Sequence, residues 1–209
     1  MVDELILTTE EVVERLKFGE PYVQFEGSFE QYLDLLERRD VRPQFFQNEI
    51  FCTMSYATSR HERLVSNIIT HLNIVYMDTD CAVLGSNRPL FAKKCDAWFE
   101  ADAMLVCGEE ENHPLKGSMT ALLNPKIIVE VHSESTRNYD LGRKLDCYKL
   151  IPSVQYIIYI ESDTTKVSLY TRTGNQNEWL NNDFRSIDDA FPVNGGFISM
   201  KQLYNKVST

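Results

Sequence analysis

The sequence predicts an α/β fold, a mixed sheet with helices on its faces. Three observations carry that prediction. Leu64, Ile68, Leu72 and Val75 recur at helical spacing within one long segment. Short apolar runs bounded by turn residues recur at 101–106, 126–132, 154–160 and 166–171. The order helices, hairpin, long helix, strands, helix, strands suits a sheet covered by helices. With 209 residues the chain can bury one substantial core.

Taken in order, residues 1–27 read as an N-terminal helical extension and 28–209 as the main domain. Thr8-Thr9-Glu10-Glu11 has the form of a helix start, a threonine cap followed by acids in the first turn. Gly19, Pro21 and Gly27 break that pattern. Ser28 is placed to cap a second helix, with Phe29, Tyr32, Leu33, Leu35 and Leu36 on or near its buried stripe. Residues 42–56 read as a β-hairpin turning at Gln47-Asn48. Thr58 or Ser59 then caps the long helix, which runs to about Tyr76. Strands are expected at 80–85 and 89–92, and Asp102 falls in the next. Residues 108–124, rich in acid, Gly, Pro and Asn, read as a polar loop. The strand 126–132 follows, then a short helix over 138–148. Strands at 154–160 and 166–171 are joined by the turn 161–164. A short helix follows Ser199.

Composition narrows the class. Hydrophobic residues make up 43% and charged residues 25%, which is globular, and no apolar run approaches the ~20 residues that span a bilayer. The acidic opening Met-Val-Asp-Glu-Leu argues against a secretory signal peptide. Five cysteines form an odd set without a Cys-x-x-Cys pair, so no disulfide framework or zinc ribbon is expected, and a reducing cytoplasm fits. The net charge of −10 runs against a broadly basic nucleic-acid surface. Arg137, Arg143, Lys144 and Lys149 are a local exception. No Gly-rich phosphate loop, Gly-x-Gly dinucleotide fingerprint or Gly-x-Ser-x-Gly elbow is present.

The chemistry concentrates between 102 and 144. Asp102 and Glu130 sit in apolar runs, where a charge needs a partner. Adjacent strands would bring both carboxylates to one sheet edge, with the backbone carbonyl of Val131 beside them. Hard cations such as magnesium take such oxygen ligands. A purely structural reading, a strand-starting aspartate and a glutamate paired with a core lysine, stays open. Lys144 shares a helix face with Asp140 and Tyr148 at i,i+4, either as a surface ion pair or aimed at the carboxylates. Glu49, at the hairpin turn, is a candidate third carboxylate, although solvation is the default for a turn acid. His132 shares a strand face with Glu130 and is either a tuning or acid–base group or a satisfied half-buried histidine. His61, in the first turn of the long helix, reads first as a packing or capping residue.

The joined pattern resembles the PD-(D/E)XK nuclease superfamily, and more closely the large bacterial family of restriction-endonuclease-like proteins. The matching residues are Ala101-Asp102, then the run from Val129-Glu130-Val131-His132 to Thr136, then Asp140, Lys144 and Tyr148. The hairpin Gln47-Asn48-Glu49-Ile50 and His61 also fall where that family has counterparts. Coverage runs from about residue 28 to 172. Ala101 stands in place of the family's proline, and Gln44 where relatives often carry a glutamate.

The resemblance implies a restriction-endonuclease-like mixed central sheet flanked by helices. It also implies a magnesium-dependent DNA endonuclease, with manganese as a substitute. In that reading Asp102 and Glu130 bind metal, Glu49 assists, and Lys144 positions or activates water. Val131 and His132 support the site. Cytoplasmic location and a homodimer, since two strands need two sites, are the accompanying expectations. Two rivals stand beside it: a non-catalytic nuclease-fold binding or assembly module, and a metal-dependent hydrolase of a small phosphorylated substrate.

Overall fold

The structure, a computed structural model, describes residues 7–132, 139–174 and 178–207. Residues 133–138, which include Arg137 and the end of the matched strand motif, lie outside them.

Helix α1, Thr9–Lys17, starts with a capping box in which Thr8 and Glu11 satisfy each other's backbone, and it buries Val12, Val13 and Leu16. Strand β1, Val23–Glu26, occupies a stretch expected only as a break. Its partner is strand β3, Glu49–Met54, which pairs on its other side with β2, Val41–Phe46. Gln47 and Asn48 turn this hairpin with φ of 47° and 67°, the left-handed pair that a two-residue type I′ turn requires. Helix α2, Phe29–Leu36, is capped by Ser28 and Gln31 in the same reciprocal way as α1. Helix α3, Ser59–Val75, is capped by Thr58 and buries Leu64, Ile68 and Leu72, as the periodicity predicts.

Next come β4, Cys81–Gly85; β5, Leu90–Ala92; β6, Ala97–Phe99; and β7, Ala103–Cys107. The expected polar loop at 108–124 is instead a hairpin of β8, Asn112–Lys116, and β9, Met119–Leu122. Gly117 turns it at φ 58°; β8 is too exposed and polar, and β9 at four residues too short, to show the alternation that would have marked them. Strand β10, Ile127–His132, leads through a π-helical turn at Asp140–Lys144 into α4, Leu145–Lys149. After β11, Tyr156–Glu161, and β12, Val167–Arg172, come three strands that the apolar pattern did not mark. These are β13, Trp179–Phe184; β14, Ala190–Val193; and β15, Gly196–Ser199. Helix α5, Met200–Leu203, follows Ser199 as expected.

Among the described residues the strands form two large sheets and a small pair. One large sheet runs β1-β3-β2-β6-β5-β9-β8, the other β13-β12-β11-β10-β7-β4. The six-stranded sheet is mixed, with β10 parallel to β11 and antiparallel to β7. Alternation along β10 separates two cores. Ile127, Val129 and Val131 pack towards α3 and α5. Ile128 faces the other way, among Leu90 and Phe99 of the seven-stranded sheet and Cys147 and Tyr148 of α4. Glu130 shares that second face. Beyond the seven-stranded sheet, α1 and α2 close a third core. The chain crosses from one sheet to the other over Glu100, Ala101 and Asp102, which puts the site where the sheets diverge.

The expectation about cysteines does not hold. Cys81 is bridged to Cys107 across the neighbouring strands β4 and β7, and Cys95 to Cys147; buried Cys52 is free. Each pair is brought together only by folding, over 26 and 52 residues of separation, so no short motif announces it.

Candidate active site

Asp102 opens β7 at the point where its pairing with β10 ends at Ala103 and Val129. Beyond that register the Val131 N–H has no strand partner and donates to Asp102 Oδ2 at 2.8 Å. Since N–H and C=O of one strand residue lie on the same side, the Val131 carbonyl also faces Asp102. His61 Nε2 lies 3.3 Å from Asp102 Oδ2, and Arg42 Nη1 lies 3.5 Å from Oδ1. Burial raises the cost of the Asp102 charge, but His61, the Val131 N–H and Lys144 together hold the carboxyl below its usual range. Burial alone would lower the His61 pKa; Asp102 reverses that and raises it.

Glu130 is in the opposite situation. Its Oε1 accepts from Tyr148 OH at 2.6 Å and lies 2.8 Å from Lys144 Nζ. Burial, with the negative charges of Asp140 and Asp102, pushes its carboxyl up to about 8 in spite of Lys144. Lys144 is only 2% exposed. Burial works against its charge, yet Glu130 and Asp140, the latter 3.4 Å away, more than offset this and raise its pKa. The π-helical turn and α4 place Asp140, Lys144 and Tyr148 on one face towards Glu130, and Tyr159 OH anchors the turn on the Asp140 carbonyl at 2.8 Å.

Arg42, His61, Asp102, Glu130, Val131, Asp140 and Lys144 line a cleft of about 380 Å³, open to solvent, together with Gln44 and Glu100. Gln44 is buried on its wall, and its Oε1 has no hydrogen-bond partner among the described residues. Burial pushes the Glu100 carboxyl up to about 7. Thus the structure brings Asp102, Glu130, Val131 and Lys144 together. It does not bring in Glu49, which stays on the hairpin, bonded to Gln24 and Arg143. Nor does His132 line the cleft. It is buried against Tyr159, with Nε2 3.3 Å from Glu161 Oε1 and Nδ1 3.9 Å from Asp140 Oδ2. Arg42 and Glu100 were missed because strand position alone gave no reason to single them out. His61 was noticed, but its partner lies 41 residues on (102 − 61).

A strand-opening aspartate, a glutamate on the neighbouring strand and a lysine returned by the next helix, all on a mixed sheet, define the PD-(D/E)XK-like class. The chain belongs to the family described as "Putative restriction endonuclease" (Uma2), whose model matches residues 29–196. It is 28% identical over 150 residues to an uncharacterized protein of Synechocystis sp., covering 72% of this chain and 82% of that one. A second uncharacterized Synechocystis protein is 24% identical over 160 residues, covering 76% and 80%. The crystal structure titled as a putative nuclease belonging to DUF820, from Anabaena variabilis, superposes with a TM-score of 0.67 at 17% identity. That superposition covers 87% of this chain and 99% of that one, and it shows the shared fold. Family and fold together support a nuclease-like function.

Proposed function

We propose that the protein is a metal-dependent DNA endonuclease that hydrolyses phosphodiester bonds, with magnesium as its cation and manganese as a substitute. The observation that carries this reading is the pair of buried carboxylates in one open cleft, Asp102 held ionised beside His61 and Glu130 pushed up by burial. The donors fit a hard cation: oxygens from Asp102 and Glu130, the Val131 carbonyl, and the unpartnered Gln44 Oε1 on the cleft wall. A divalent cation there would lower the pKa of a water and offset charge on the attacked phosphate. The chain's own groups do the rest. His61 and the Val131 N–H fix the Asp102 carboxylate in one orientation. Lys144 Nζ, held at Glu130, orients the attacking water and stabilises negative charge developing on the phosphoryl oxygens.

An open cleft suits a polymer better than a small phosphorylated substrate. The rival of a binding or assembly module draws on the net charge of −10. Plasmid cleavage with magnesium, with manganese and with chelator separates them, using wild type, Asp102→Asn, Glu130→Gln and Lys144→Met. Metal-dependent cutting lost in all three variants supports the endonuclease; equal cutting by all four proteins rules it out.

We also infer that residues 28–209 form the nuclease domain and 1–27 an extension of it, in keeping with a family match that begins at residue 29. A homodimer is proposed for double-strand cutting. No helix among the described residues is long and apolar enough to cross a membrane. A cytoplasmic location is a proposal that must accommodate two cystine bridges, which a reducing compartment would open.

A further inference from the structure

Beside the cleft lies a second hollow of about 540 Å³, and the two share Arg42, Ser55 and Glu100 in their walls. Among the described residues its lining carries four guanidinium groups, Arg38, Arg39, Arg42 and Arg88, against one carboxylate, Glu100. That concentration stands out in a chain whose 31 acids outnumber its 21 bases. The arginines come from separate places: the turn after α2, strand β2 and the turn before β5. Arg38, Arg39 and Arg42 fall within five consecutive residues, and folding adds Arg88 and sets all four beside the cleft.

Their restraints differ. Arg88 is pinned by the Thr120 carbonyl and hydroxyl, both at 2.8 Å, and by Glu110 at 3.0 Å. Arg38 has loose contacts, Asp40 at 3.5 Å and Glu10 at 3.9 Å. Arg42 reaches between Ser86 and Asp102, linking the hollow to the site. Arg39 is exposed and has no carboxylate partner among the described residues. Ser118 and Thr120 add hydroxyls on the same wall. Guanidinium forks with hydroxyl donors are the groups that bind phosphate oxygens without reading bases.

We propose that this arginine groove is the phosphate track of the site, holding the sugar–phosphate backbone of the nucleic-acid strand that runs out of the Asp102–Glu130 cleft. The inference rests on the nuclease reading of that cleft. It also explains how an acidic protein grips a polyanion: four arginines are concentrated in one groove continuous with the chemistry.

The test is fluorescence anisotropy of a labelled single strand of about 12 nucleotides, within the ~4–16 nucleotide sites of single-strand grooves. Metal-free protein is used, so that binding is read without cleavage. Each phosphate contact contributes about 0.7 to the salt slope for a single strand, so four arginines predict a roughly 50-fold loss of affinity between 50 and 200 mM salt. Arg38→Gln/Arg39→Gln removes two contacts and should show only a roughly 7-fold loss, starting from about tenfold weaker binding at 50 mM. Arg39→Gln alone, at an exposed residue with no carboxylate partner among the described residues, should take half that step. Magnesium binding by calorimetry and melting temperature should match wild type in both variants.

An unchanged affinity and salt slope in the double variant, with cleavage and magnesium binding intact, overturns the groove and leaves the nuclease standing. Equal affinity for a dinucleotide and the longer strand also overturns it, because the ligand is then a small phosphate compound. No strand binding by wild type, with no cleavage, removes the nuclease reading and the groove together.

Discussion

In the six-stranded sheet every residue of β10 is buried, Glu130 and His132 included, whereas the seven-stranded sheet and its turns carry Arg42 and Arg88 at about a quarter exposed and Arg39 open to solvent. The contrast is physical. A charge in the first sheet has lost its water, so it needs a partner within hydrogen-bond reach, as Glu130 has in Lys144 and Tyr148. A charge on the second keeps much of its hydration and remains available to a ligand. The first sheet thus suits chemistry, where a carboxylate must be placed and its proton affinity set. The second suits grip, where many weak and salt-sensitive contacts add up.

That comparison breaks most visibly at the carboxylates. Asp102→Asn or Glu130→Gln should lower magnesium-dependent cleavage by about 10³ or more while the fold survives, because the isosteric amide keeps the packing and loses the charge. Cleavage rates set beside thermal melts check both halves of that statement. Lys144→Met should cost stability as well as activity. Breaking a buried pair costs roughly 3–5 kcal/mol, and about 3 is expected here because Glu130 can take up a proton. Denaturant titration measures it.

Reduction sharpens the comparison differently. Cys95 follows β5 of the seven-stranded sheet, and Cys147 lies on the helix that carries Tyr148 towards Glu130. Closing a loop of that length contributes roughly 2–4 kcal/mol, so a reductant should lower the melting temperature, and Cys95→Ser should remove about half of that sensitivity, the Cys81–Cys107 bridge accounting for the rest. Smallest of all is Arg143→Ala. Its pair with Glu49 is more than half exposed on the arginine side and should cost under about 1 kcal/mol. A loss as large as that of Lys144→Met would erase the distinction between buried and solvated charge.

Legibility in the sequence followed the same division. The long helix, the hairpin and β10 to β12 were readable because their apolar faces are continuous and their caps and turns use standard residues, such as Thr58 and Gln47-Asn48. Edge strands β8 and β13 were not, because half-exposed edges need no apolar alternation, and four-residue β9 was too short to show a period. In the site, Asp102, Glu130 and Lys144 stood out as charges in apolar or helical context. Arg42 and Glu100 did not, and the cluster from Arg38 to Arg42 gave no sign of its place beside Arg88 and the cleft, which the fold creates. The same holds for both cystine bridges.

The most direct measurement is isothermal titration of magnesium, or manganese, into wild type and the Asp102→Asn/Glu130→Gln double variant across pH. A protonated Glu130 cannot ligate a cation, so affinity should rise with pH through about 8 and level off above it. Cation binding should release more protons below that pH than above it. One site in the wild type that disappears in the double variant, with that proton release, is the expected result. Binding of equal strength in both proteins, or an affinity indifferent to pH, would contradict a cation held between these two carboxylates.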